Sequence, residues 1–249
     1  MPSQNDITMT GAGAFVAREP GPSKEPLAPA KWATHPARLA RMDRLCALAL
    51  VAADAALLDA GAPDISGERT AIVLGTAFGC HATNEEYYRG LLKEGPAGAS
   101  PRLFAYTLPS SPVGEISIHY GIRGPATTAA PGLHAGLAAL AEGLSHLEQN
   151  RADRVIVIAA EVASALLAEL VGHPVRDAAA AVILERGGNG RARLISVEES
   201  FPGTAPQHDQ TLSAAPLLSL VRWLAEPRGR LELSAADPEG GTARLIAEA

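Results

Sequence analysis

The chain has 249 residues, enough for one large α/β domain with a substantial core. It is 47% hydrophobic but only 4% aromatic, so the core must be mostly Ala, Leu, Val and Ile, which suit close packing of helices on a sheet. A net charge of −6 argues against a nucleic-acid or anionic-membrane partner, and two cysteines, Cys46 and Cys80, are too few for a disulfide framework and fit a reducing compartment.

Residues 1–10 lack a basic segment followed by an apolar run, so no signal peptide is expected. The most apolar stretch, residues 155–171, is interrupted by Glu161 and Glu169 and does not read as a membrane span. A cytoplasmic protein with no membrane association, no metal and no cofactor is the expectation.

Residues 6–17 read as a first strand ending in Gly11-Ala12-Gly13. The third glycine and the following helix of a phosphate-binding loop are missing, so a close backbone turn is the better reading. The proline-rich residues 20–36 read as an exposed loop. Residues 38–60 have helical periodicity: Leu39, Met42, Cys46, Ala49, Ala53 and Leu57 share a face, Arg38, Arg41, Arg44 and Asp54 take others, and Gly61 supplies a stop. Cys46 on the apolar face reads as core. Residues 70–75 form a short buried strand, followed by Thr76-Ala77-Phe78-Gly79 and a helix over residues 83–93. Cys80-His81 precedes that helix, whose N-terminus could lower a thiol's pKa. Adjacent residues seldom face one another, however, and no second base is in evidence.

Residues 103–120 begin irregularly around Pro109 and Pro112 and then read as a helix through Val113, Ile116 and Ile118. Residues 121–140 are the most telling stretch: a Gly-Pro turn, a short buried strand of small and β-branched residues, then Pro131-Gly132 and an alanine-rich helix. Such an elbow presents one side chain at a helix N-terminus, where several enzyme folds place a nucleophile. Here that residue is Leu133, which has neither a proton to lose nor a lone pair to attack with. Leu137, Leu140, Leu144 and Leu147 mark the buried stripe of the helix that follows, to residue 149.

Residues 154–160 read as a strand that is continuously apolar after Arg154, as in a central strand covered on both faces, and Glu161 after them reads as a polar anchor rather than a catalytic carboxylate. Residues 178–185 and 192–198 read as strands joined in a hairpin by Gly187-Gly188-Asn189-Gly190. Residues 201–210 read as a loop and 212–224 as a helix. Residues 230–234 and 242–247 form a closing hairpin around Pro238-Glu239-Gly240-Gly241. No internal repeat stands out. The alternation predicts a single α/β domain over residues 1–249, a mixed sheet covered by helices on both faces.

Five stretches, in order, resemble the N-terminal half of a β-ketoacyl synthase of the thiolase fold. They are Thr10-Gly11-Ala12-Gly13; Arg41-Met42-Asp43-Arg44-Leu45; Ile72-Val73-Leu74-Gly75-Thr76 with Gly79; Ser100-Pro101 with Gly114-Glu115-Ile116-Ser117-Ile118-His119-Tyr120-Gly121-Ile122-Arg123-Gly124-Pro125; and Ala152-Asp153-Arg154-Val155-Ile156-Val157 with Glu161. The likeness covers residues 6–186, and residues 211–248 look like a short closing helix and hairpin on a single truncated half. Counted from Gly124-Pro125, the family's nucleophilic cysteine position falls on Leu133. The half that carries the family's two histidines is almost entirely missing, and His173 in Gly172-His173-Pro174 lacks the surrounding pattern. Claisen condensation needs a thiolate, basic nitrogens and an oxyanion hole together.

The resemblance therefore implies a chain-length factor, the inactive partner of an active β-ketoacyl synthase in type II polyketide or aryl polyene systems, with an acyl carrier protein as a further partner. It implies that the strand Pro125, Ala126, Thr127, Thr128, Ala129 and Ala130 lies at the subunit contact, and that Phe104, Thr107, Leu108 and Ser111 lie near the growing chain, with Leu133 and His134 alongside. Phe104 and Leu108 could equally be core residues. Two other readings stand beside this one: a thiolase-fold acyl-thioester enzyme using Cys80 or His134, and a homodimeric, non-catalytic acyl-binding or scaffold module.

Overall fold

The computed structural model describes residues 6–27, 39–61, 63–187, 190–200, 210–236 and 241–249. Its elements, in chain order, are β1 (Ile7–Val16), α1 (Arg44–Asp59), β2 (Thr70–Gly75), α2 (His81–Glu94), α3 (Pro101–Phe104), α4 (Ser111–Tyr120), β3 (Ala126–Ala129), α5 (Ala135–Glu148), β4 (Arg154–Glu161), α6 (Ala165–Val171), β5 (Ala178–Arg186), β6 (Ala192–Ser200), α7 (Ala215–Ala225), β7 (Arg230–Ala236) and β8 (Thr242–Glu248), with short 3-10 turns at Gly95–Gly98 and Leu212–Ala214. The strands form one mixed sheet in the order β3-β2-β4-β5-β1-β6-β8-β7. Strand β2 runs parallel to β3 and β4, and the remaining neighbours are antiparallel.

Side-chain alternation divides the core into two layers. Along β4, Val155, Val157 and Ala159 join one apolar cluster, while Ile156, Ile158 and Ala160 join the other. Strand β5 does the same with Ala180, Val182 and Leu184 against Ala179, Ala181 and Ile183. A run that is apolar at every position is what a strand covered on both faces requires. Helices α5 and α7 cover the first face through Leu137, Leu140, Leu217, Leu220 and Leu224. Helices α1 and α4 cover the second through Leu48, Leu57, Val113 and Ile116. Among the described residues, no helix is long and apolar enough to cross a membrane.

The α/β architecture, a mixed thiolase-like sheet with helices on both faces, is the one the sequence predicts. Several local expectations are corrected. Gly11-Ala12-Gly13 lies inside β1 and does not end it. A Cβ on Gly11 would sit 2.2 Å from the Ala56 carbonyl oxygen, and one on Gly13 would sit 2.5 Å from the Ala56 nitrogen, so these glycines let alanine-rich α1 lie directly on the strand. Helix α1 starts at Arg44 rather than at residue 38. Asp43 is its N-cap, accepting a hydrogen bond from the Cys46 amide at 2.9 Å, and a capped end does not extend backwards. Cys46 is fully buried, as expected.

Strands β5 and β6 are not a hairpin. Strand β1 lies between them, pairing with β5 along its length and with β6 at Thr8 and Met9. The Gly187 amide bonds Asp6 O and the Arg191 amide bonds Met9 O, so the connection passes around the start of β1. Strand β3 is not a buried strand either. It has a single neighbour, β2, and stands at the sheet edge with its residues half-buried or exposed. Helix α6, capped by Ser164 and stopped by left-handed Gly172, was not expected at all. The closing hairpin of β7 and β8 forms as predicted. Residues 28–38 of the expected loop and helix start, Gly188 and Asn189, residues 201–209 and the tip at 237–240 lie outside the described residues.

Candidate functional site

The elbow between β3 and α5 is built as the sequence indicates. Gly132, with φ of +108°, turns the chain after Pro131, and the Ala135 amide bonds the Gly132 carbonyl at 3.0 Å. Leu133 follows, and His134 is the buried N-cap residue of α5. Leu133 is half-buried in a small apolar cluster with Phe78, Ala163, Leu167, Val171, Val175 and Leu212. The position that the resemblance assigns to a nucleophile is therefore roofed by hydrocarbon from the β2–α2 loop, α6 and the turn before α7.

Glu161, at the end of β4, fixes this arrangement. Its carboxylate accepts hydrogen bonds from the amides of Ala77 and Phe78 and from the Ser213 hydroxyl. These partners come from the β2–α2 loop and the turn before α7, so one side chain holds both segments that pack on Leu133. Glu161 is wholly buried, and burial pushes its carboxyl up to about 7 against the opposing pull of those hydrogen bonds. This is the polar anchor that the sequence suggested, with Ser213 as a partner that the sequence did not reveal.

A second buried carboxylate was not evident from the sequence. Asp177 accepts from Arg44 Nε at 2.7 Å and from the Ala163 amide at 2.8 Å. Burial raises its carboxyl, and those two hydrogen bonds pull it back. The Arg44 guanidinium lies over the Phe15 ring at 5.7 Å and donates to Glu25 O at 2.9 Å, tying β1, α1 and the residues after β4 together. The signal for this pair in the sequence was a charged residue just before each of two separate apolar runs, 45–53 and 178–184, but nothing there matched the two.

Phe104, Thr107, Leu108 and Ser111 gather on the turn from α3 into α4. Phe104 is 63% exposed and Leu108 62%, so neither is a core residue in this chain. The turn is braced by Thr107 Oγ1 donating to Phe104 O at 2.8 Å and by Ser111 Oγ donating to Ala105 O at 3.2 Å. The Phe104 ring meets Tyr87 of α2 at 5.8 Å. Loop 76–80 lies between this turn and the elbow, with Phe78 against Leu133 and Gly79 against Pro109.

Pro125 and Ala126–Ala129 run along the open edge of the sheet. Thr127, Thr128, Ala129, Ala130, Pro131 and His134 line a cleft of about 620 Å³ beside α5. Cys80 is buried at the N-cap of α2, and burial pushes its thiol up rather than down, which is the opposite of what an activated nucleophile needs. His173 lies elsewhere, on the turn after α6. Among the described residues, no group of His, Cys, Asp and Glu side chains could hold a metal ion.

Comparison with known proteins gives a consistent answer. The chain is 30% identical over 163 residues to the tetracenomycin polyketide synthase ketoacyl synthase alpha subunit of Streptomyces glaucescens, covering 60% of this chain and 37% of that one. It is 33% identical over 120 residues to nodulation protein E of Rhizobium leguminosarum bv. trifolii, covering 47% and 29% respectively. The chain thus spans well under half the length of these relatives. Among solved structures it is similar to the ishigamide ketosynthase/chain length factor, with a TM-score of 0.76 at 20% identity over 98% of this chain and 99% of that chain. It is also similar to the structure of ketosynthase ApeO in complex with its chain length factor ApeC from Xenorhabdus doucetiae, with a TM-score of 0.65 at 18% identity, again over 98% and 99%. Likeness at these identities establishes the fold. The family model described as β-ketoacyl synthase, N-terminal domain, matches residues 15–170, well over half of the chain. The chain belongs to the β-ketoacyl synthase family, as a relative of its N-terminal domain.

Proposed function

We propose that this protein is a catalytically inactive, ketosynthase-like subunit of the chain-length-factor type. It pairs with an active β-ketoacyl synthase in type II polyketide or aryl polyene biosynthesis and shapes the space around the growing acyl chain, which an acyl carrier protein delivers. One observation carries the reading: Leu133 occupies the elbow at the N-terminus of α5, and the surrounding cluster is apolar. A side chain without a nucleophilic atom cannot form an acyl thioester.

The open β3 edge supports a role in pairing. Its residues are uncharged, whereas the opposite edge strand, β7, exposes Arg230 and Glu232. Charged edge strands resist pairing and uncharged ones invite it. The exposed Phe104 and Leu108 provide an apolar surface of the kind that borders an acyl chain. The raised Cys80 thiol does not favour a thioester hydrolase.

The test is co-expression with the ketosynthase encoded nearest in the genome, with a tag on this chain only. The expected result is a one-to-one complex, with condensation activity absent from either subunit alone. Elution of this chain as a homodimer, beside a ketosynthase that works without it, would refute the proposal in favour of a homodimeric module.

A further inference from the structure

The turn over residues 105–110 carries its exposed apolar side chains on a backbone that is mostly braced from within. Its internal bonds run from Tyr106 N to Leu103 O, from Ser111 N to Leu108 O, and from Tyr106 Oη to Glu115 at 3.0 Å. None of these fixes where the turn stands relative to α2. Besides the Phe104–Tyr87 ring contact, the Cys80 thiol does so by donating to Thr107 O at 2.9 Å while accepting from Asn84 Nδ2 at 3.4 Å. Cys80 is 4% exposed and Thr107 half-buried, so the contact is largely shielded from solvent. Its raised pKa keeps the sulfur protonated and able to donate. Gly79, with φ of +57°, brings the loop onto Pro109, where even a Cβ would come within 3.2 Å of the proline ring. The helix N-terminus, which in other settings generates thiolates, here aims an S–H at a carbonyl.

We propose that Cys80 is a positioning residue: its thiol, steadied by Asn84, latches the turn to α2 and so sets how Phe104 and Leu108 are presented to an apolar acyl chain. The acyl-chain part of this inference rests on the function proposed above, whereas the latch does not.

The latch is read first in the free, full-length protein, by hydrogen exchange at the amides of Tyr106, Thr107 and Ser111. Loss of one hydrogen bond in Cys80→Ala should speed their exchange about fivefold. Cys80→Ser, whose hydroxyl still donates, should restore most of the protection. Asn84→Ala, at an exposed position that leaves the core intact, should shift exchange in the same direction by less. Unchanged exchange in Cys80→Ala overturns the latch. So does fast exchange that serine fails to restore, because the effect would then be packing alone. In the complex with an active ketosynthase, Cys80→Ala should broaden the distribution of product lengths and Cys80→Ser should not. Faster exchange with an unaltered product distribution keeps the latch and refutes the acyl-chain reading, so the two failures are distinguishable.

Discussion

Replacing Glu161 with glutamine tests the anchor beneath the elbow. In the folded protein the carboxyl is raised from 4.5 to about 7 by complete burial. The folded state therefore holds this proton more tightly than the unfolded chain does. The associated stability is fully present below about pH 4.5 and is lost as the pH rises through about 7. With each tenfold difference in proton affinity worth about 1.4 kcal/mol, the wild-type protein should lose about 2.5 kcal/mol from this group between about pH 5 and pH 8. Glutamine has nearly the same shape and no charge, its carbonyl can accept from both the Ala77 amide and the Ser213 hydroxyl as Oε1 does, and its NH₂ displaces only the long 3.4 Å contact with the Phe78 amide. Glu161→Gln should therefore match the wild type at acidic pH and lack this loss at alkaline pH. Urea unfolding of both proteins at the two pH values measures the difference directly, and every other titrating group cancels in the comparison. Parallel pH profiles, agreeing within about 0.5 kcal/mol, would mean that Glu161 is ionised in the folded protein across this range, and the account of the anchor would fail.

Asp177→Ala should be more damaging. It strips the partner from a largely buried Arg44 and leaves the Ala163 amide without its acceptor, a loss of about 3 kcal/mol. At roughly 2–4 °C per kcal/mol, melting should fall by at least about 6 °C, and a fall below about 2 °C in a thermal scan would mean that the pair does little to hold the fold. The double variant Ala126→Lys, Ala130→Lys changes two exposed positions on or beside β3, so the melting temperature should barely move. Size-exclusion chromatography should nevertheless show the loss of any dimer, homomeric or with a ketosynthase, and an intact dimer would place the contact elsewhere.

What the sequence made legible were features whose cause is local. The unbroken apolar runs of β4 and β5 announce strands buried on both faces, and Pro131-Gly132 before a run of alanine and leucine announces the elbow. The motif order was enough to identify the family. What stayed hidden depends on distant partners. Nothing near Gly187 says that β1 will slide between β5 and β6, and a glycine-rich link between two strands naturally reads as a hairpin. Arg44 and Asp177 are 133 residues apart in the chain, and each alone looks like a solvated charge. The edge position of β3 was similarly invisible, since alanine and threonine fit a buried strand as well as a half-exposed one. Helix α6 was readable, however: Ser164 and Gly172 bracket it with a cap and a stop. The apolar run of β4 just before it masks that signal.

The asymmetry of the sheet has a consequence for assembly as a whole. A sheet with two receptive edges can add subunits without end, strand upon strand, and such growth produces fibres. Here the β7 end is blunted by Arg230 and by Glu232, which is ion-paired across to Arg244 at 2.6 Å. Among the described strands, β3 is the edge without such charges, the one that the proposed pairing would use. If a partner strand occupies that edge as proposed, the charged β7 end opposes further sheet extension, so pairing there would not seed a polymer.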